Sequence, residues 1–317
     1  MSPSRSAGSS PIIRPLREDD FPEADRIFRL AFDTFVGLPD PLTFAGDSDW
    51  TRSRFASDPA AAFAAELDGR LVGSNFATTW GTVGFFGPLS VHPELWNAGI
   101  AKHLLGPTME LLDARGCRLQ GLFTFAQSPK HVGLYQRFDF WPRFLVAVMA
   151  RPSAGVAGPP AWSLHSATGD EVLPAARALT TAVYDGFDVG TAIRSVREQR
   201  LGDTVLVHDG DRLAGLAVCH CGAGSEGGSG MCFVKIGAVA PGPDAGERFE
   251  QLLDASAAFA AARGLGTLVA GVDTGQRDAY RRMLARGFRT VIQGVVMVRG
   301  DEIGLGRPDR HVLADWR

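Results

Sequence analysis

Residues 89–105, LSVHPELWNAGIAKHLL, hold the arrangement best suited to binding chemistry. An extended segment ends at Val91-His92-Pro93, and apolar residues then recur at helical spacing as Ile100, Leu104, Leu105, Met109 and Leu112. The spacing predicts a strand, a short loop and a helix that begins near Gly99. The first turn of a helix has amide N–H groups without intrahelical partners and carries the positive end of the dipole, so it attracts phosphate. Gly99 and Ala101 are small enough for a ligand to reach the backbone. The same strand, loop and helix would serve equally as plain scaffolding, and spacing alone does not decide between the two.

The elements that must hold this loop occur twice. A stretch rich in Pro, Gly and small residues, 151–161 (RPSAGVAGPPA), reads as a linker between residues 11–150 and 162–300. Before it, Asp19 or Asp20, Pro22 and the stripe Ala24, Ile27, Phe28, Ala31 and Phe35 mark a capped amphipathic helix; after it, Asp170, Pro174, Leu173, Ala176, Leu179 and Val183 mark another. Each half continues with a hairpin, turning at Asp68-Gly69 and at Asp209-Gly210-Asp211. A strand (82–91; 231–239), a glycine-bearing loop, a helix, a strand and a second helix follow in both. Gly99 stands as far ahead of Phe140, to within one residue, as Gly246 does ahead of Phe288. The longer spacing in the second half falls at GAGSEGGSG, 222–230, where a longer flexible loop costs little. The fold class expected is α+β, two tandem units, each a twisted mixed sheet flanked by helices.

The loop 91–101 resembles the acetyl-CoA pyrophosphate loop of the GNAT superfamily of N-acetyltransferases, whose Gln/Arg-x-x-Gly-x-Gly/Ala signature follows the fourth strand. Gly99 and Ala101 match its last small positions, and Trp96 stands at the Gln/Arg position. The resemblance implies that Trp96, Asn97, Ala98, Gly99, Ile100, Ala101 and Lys102 cradle the diphosphate. It implies too that Leu89, Ser90 and Val91 pair with the pantetheine arm like an added strand. Residues 125–140, FAQSPKHVGLYQRFDF, are similar to the family's Asn-led helix ending in Tyr and then Gly-Phe. Ser128 stands at the Asn position, Asp139 at the Gly, and Tyr135 five before Phe140, as the family tyrosine does. By this resemblance Tyr135 protonates the departing thiolate. A phenol of pKa about 10 can do so for a thiolate whose conjugate acid has a pKa of about 8.5; otherwise Tyr135 packs its ring and bonds a carbonyl.

The resemblance implies transfer of an acetyl group from acetyl-CoA to an amine by direct attack, without an acyl-enzyme and without a metal. His92 or His131 could act as base, and Glu66 is the best carboxylate candidate. Residues 35–54 follow the first helix and include Asp40, Asp47, Asp49, Trp50, Arg52 and Arg54. By resemblance they line the acceptor groove, where aromatic and acidic residues would suit an amine; as plain sequence they read equally well as a polar surface loop. The acceptor, a small molecule or a peptide amine, is not specified. Two rival readings stay open: a non-catalytic acyl-CoA sensor, and a structural tandem module.

The second half departs from the pattern. In its loop, APGPDAGERF at 240–249, Pro241 and Pro243 remove amide donors and Asp244 and Glu247 add negative charge. Arg248 stands at a small-residue position and Met283 at the tyrosine position, with Tyr280 one turn earlier. This copy is expected to be degenerate, covering the first, shaping the acceptor channel or mediating a homodimer.

The totals exclude other classes. A net charge of −3 argues against capture of nucleic acid or an anionic membrane. Residues 1–10 lack the apolar stretch of a signal peptide and are expected to be disordered; no apolar run would span a bilayer, and a cytoplasmic protein is the expectation. Cys219-His220-Cys221 with Cys232 suggests a metal, but strand alternation puts the two nearest cysteines on one face as small apolar groups. The tail, 301–317, ends HVLADWR and is apolar enough to dock.

Overall fold

The computed structural model describes residues 10–40 and 42–317; the expected disordered start lies, but for residue 10, outside them. The first half runs β1 (Ile12–Pro15), α1 (Phe21–Val36), α2 (Thr51–Ser57), β2 (Ala62–Leu67), β3 (Arg70–Trp80), β4 (Val83–Phe86), β5 (Ser90–Val91), α3 (Ile100–Ala114), β6 (Leu119–Thr124), α4 (Pro129–Gln136) and β7 (Phe140–Pro152). The second runs β8 (Trp162–Leu164), α5 (His165–Thr168), α6 (Leu173–Val183), α7 (Gly190–Glu198), β9 (Gly202–Asp209), β10 (Arg212–Gly222) and β11 (Gly228–Val239). It ends with α8 (Ala245–Ala262), β12 (Thr267–Asp273), α9 (Arg277–Ala285), β13 (Arg289–Arg299) and β14 (Val312–Leu313).

Local chemistry places these boundaries. Asp68 and Gly69 both take positive φ, 51° and 74°, and close the hairpin between β2 and β3. Helix α3 buries Ile100, Leu104, Leu105, Met109 and Leu112, the stripe read from the sequence. Truncating a fully buried member such as Leu104 to Ala would cost about 2–5 kcal/mol, so the helix is firmly seated.

The halves do not lie side by side as closed units. All strands join one 14-stranded sheet in the order β1-β2-β3-β4-β6-β13-β7-β12-β11-β10-β9-β8, with β5 on β3 and β14 on β11. Strand β13 inserts between β6 and β7, pairing Val295 with Thr124 and Gln293 with Ala147. Strand β7 in turn pairs with β12, Val269 opposite Ala150. Each half therefore lends its last long strand to the other. Arg151 and Pro152, expected in the linker, still pair with Leu268 and Thr267, because the exchanged strand must reach across its neighbour's full length.

Candidate active site

Strand β4 stays parallel to β6 only as far as Phe85 opposite Gly121. Beyond Gly87 the chain turns away to pair with β3 as β5, Ser74 opposite Ser90 and Gly73 opposite Val91. The two strands part, and a cavity of about 660 Å³ opens between them. The sequence predicted one continuous strand over 82–91; the break within it makes the site. Arg54 from α2 donates to the carbonyl of Gly87 and fixes the break.

His92 donates its amide to Val72, so alternate residues turn their peptide groups the other way. Leu89 and Val91 accordingly line the cavity, whereas Ser90 is buried toward β3. At the mouth stand Trp96, Asn97, Gly99, Ile100, Ala101 and Lys102. Asn97 and Gly99 adopt positive φ, 72° and 86°, which asparagine and glycine tolerate best. The amide of Ala98 bonds Leu95 and that of Lys102 bonds Gly99. Among the described residues, no such bond holds the amides of Asn97, Gly99, Ile100 or Ala101, which are the free donors expected at a helix start. Trp96 donates its indole N–H to the carbonyl of Val91 at 2.8 Å, and Lys130 sits over its ring at 5.2 Å.

The opposite wall comes from α4. Ser128 caps that helix, its hydroxyl accepting the amide of His131 at 3.4 Å; like Ala98 and Ser90, it does not face the cavity. Tyr135 does, 9% exposed, with its ring against Phe86 at 5.8 Å. Burial holds its phenol above the ordinary pKa, so it keeps its proton at any working pH. Asp139 explains its own departure: it adopts φ 65°, the left-handed conformation that a glycine there would supply.

Of the base candidates, His131 lines the cavity, its imidazole on Phe35 at 4.8 Å and its pKa lowered by burial and then by Lys130. Glu66 instead pairs with Arg14 at 2.8 Å on the sheet edge, away from the cavity. His92 lies outside the lining, 3.9 Å from Glu94.

Two of the acidic residues of 35–54 serve structure. Asp47 accepts from the amide of Ser229 at 2.9 Å, and Asp49 caps α2 through Arg52 at 2.8 Å. The glycine-rich loop expected to be flexible instead anchors this segment and carries Glu226, buried between Arg54 at 3.0 Å and Lys235 at 2.6 Å. Composition gives no signal for this: an acid among glycines and serines reads as a surface loop.

Only part of an aromatic wall was legible in the sequence, through residues 35–54 and Trp50. Phe28, Phe32, Phe35, Phe44 and Trp50 face the cavity, Phe28 and Phe35 from the helical stripe read in the sequence. Ile27 and Ala24 do fill the core, but the flank of the same stripe turns outward to the cleft. The tail supplies the rest: Trp316 and Arg317 line the cavity, and the carbonyl of Arg317 accepts from Arg54 at 2.6 Å and Lys235 at 3.1 Å.

The corresponding place in the second half is filled. Strand β14 lies along β11, Leu313 opposite Gly237 and Val312 opposite Ala238. The guanidinium of Arg282 packs against Gly246 at the start of α8, held by Glu250 at 2.6 Å and Asp278 at 2.7 Å. Met283 is fully buried.

All four cysteines are free and buried. Among the described residues, no group of His, Cys, Asp and Glu side chains could hold a metal ion, and no helix is long and apolar enough to cross a membrane.

Residues 24–140 match the Acetyltransferase (GNAT) family, a span that contains the whole mouth of the cavity and Tyr135. Among solved structures, a candidate acetyltransferase from Pyrococcus horikoshii is similar over 100% of this chain and 98% of its own, with TM-score 0.69 and 14% identity. A GCN5-related N-acetyltransferase from Sphaerobacter thermophilus aligns over 91% of this chain and 95% of its own, with TM-score 0.58 and 15% identity. A tandem GNAT protein from the clavulanic acid biosynthesis pathway covers 92% and 99%, with TM-score 0.58 and 15% identity. At these identities the likeness is one of fold. No curated protein matches the chain significantly.

Proposed function

We propose, for a chain whose residues 24–140 form a GNAT acetyltransferase domain within a tandem GNAT-like fold, that its first half transfers an acetyl group from acetyl-CoA to an amine. The observation that carries this reading is the set of unbonded amides of Asn97, Gly99, Ile100 and Ala101. They open onto the cavity whose far wall holds Tyr135. Lys102, Lys130 and Arg137 line the same cavity and suit a phosphate-bearing co-substrate. The peptide groups of Leu89 and Val91 would pair with the pantetheine arm and polarise the thioester carbonyl.

In the reaction proposed, the amine nitrogen attacks the thioester carbon, the C–N bond forms and the C–S bond breaks. Tyr135 gives its proton to the departing thiolate, and His131, directly or through water, takes one from the nitrogen. The second half is a degenerate copy, its cleft closed by β14 and Arg282, and it serves to wall the first.

Isothermal titration with coenzyme A tests the reading. A carboxylate placed in the cup by Gly99→Glu, or by Ala101→Glu at a helical φ, should weaken binding by at least about tenfold, or 1.4 kcal/mol. Native-like affinity in both variants, or binding confined to the second half, would overturn it.

A further inference from the structure

The inner part of the cavity has a chemistry of its own. Phe28, Phe32 and Phe44 form a contiguous cluster, with ring centroids 4.9, 5.5 and 5.1 Å apart, and Phe35 packs on Phe125 at 4.9 Å. Among the described residues that line the cavity, none is an aspartate or glutamate. The nearby Glu226 is already saturated by Arg54 and Lys235.

An ammonium group entering such a place loses its water and gains no side-chain carboxylate as counter-ion, which disfavours it. Aromatic faces can offset that cost by cation–π attraction. Here Trp50, the largest ring among them, is already faced by Arg54 at 5.0 Å, Arg317 at 5.3 Å and Lys235 at 5.7 Å. These resident cations repel another. Flat rings are favoured, because they stack on the phenylalanines and bury apolar area.

Resting on the acetyl-transfer reading, we infer that the acceptor is an aromatic amine uncharged at neutral pH, an aniline-type nitrogen on a flat apolar ring. Such a nitrogen keeps its lone pair without a carboxylate to steer it, and His131 needs to remove a proton only as the C–N bond forms.

Steady-state transfer by the full chain, read as free thiol released from acetyl-CoA at pH 7, separates the classes. The test pair is aniline and benzylamine, the same ring with an uncharged and a charged nitrogen; spermidine represents polycations. The expected result is a kcat/KM for aniline at least tenfold above that for either cation. Phe32→Glu, at a half-buried position, should lower the aniline rate and raise the benzylamine rate. Equal or faster transfer to benzylamine or spermidine overturns the inference and leaves acetyl transfer standing. So does a preference for octanoyl-CoA over acetyl-CoA with every amine, which would make the aromatic wall an acyl-chain pocket. Coenzyme A binding by calorimetry without transfer to any amine overturns both the inference and catalysis, and absence of that binding removes the acyl-CoA reading itself.

Discussion

The indole N–H of Trp96 donates to the carbonyl of Val91 across 2.8 Å, tying the loop at the cavity mouth to the strand beside it. A carbonyl oxygen has two acceptor sites, so Val91 keeps one for a ligand while its position is fixed. Trp96→Phe retains a ring and removes the donor. The expected loss of stability is about 1 kcal/mol by thermal unfolding. Coenzyme A affinity should fall about three- to tenfold, through the loosened cup rather than a lost ligand contact. Unchanged affinity would show that the loop holds its shape unaided.

Tyr135→Phe should lower kcat by about 10²–10⁴-fold with little change in the KM for acetyl-CoA. Among the described residues the phenol has no hydrogen-bond partner, only ring contacts, so melting temperature should barely move. Turnover that survives unchanged removes the residue from the chemistry.

Burial lowers the pKa of His131 below 6.5. A base works in its neutral form, so kcat/KM should stay level through neutrality and fall as pH drops through a value below 6.5. His131→Asn should lower the plateau and abolish this acid limb. An unchanged limb would assign the proton to another group.

His220, on β10, is buried, and burial depresses its pKa to about 4. The folded chain keeps this imidazole neutral while the unfolded chain protonates it below 6.5. Between those values the unfolded state binds more protons, so stability is lost as pH falls through the window, on the order of 2–3 kcal/mol in all. The melting temperature should decline from pH 6.5 toward pH 4, and His220→Gln should flatten that decline.

Which features the sequence could disclose follows from their physical range. The stripe of α3, the Asp68-Gly69 hairpin and the loop at Gly99 depend on neighbours within a turn or two, and periodicity and turn chemistry report such neighbours. Trp96 and Asp139 looked like departures from a pattern, yet each meets the local need by other means, a hydrogen bond to Val91 and a left-handed φ. The share of α1 ahead of residue 35 in the aromatic wall was hidden because Phe28 shares a helical period with Ile27 and Ala24, and period does not distinguish core from cleft. Glu226 and Arg317 meet Arg54 only after the whole chain has folded, and no local pattern marks a contact of that range.

The traded strands give the molecule a single mechanical fate. Severing the peptide chain just past Pro152 would leave β7 in one fragment while β12 and β13, the strands on either side of it, went with the other. Neither fragment could then seal its own sheet, and the wall behind Tyr135 would lose its backing at Val295 and Met297. The two halves follow one plan in sequence, and interlacing ties the closure of each sheet to a strand that the other supplies.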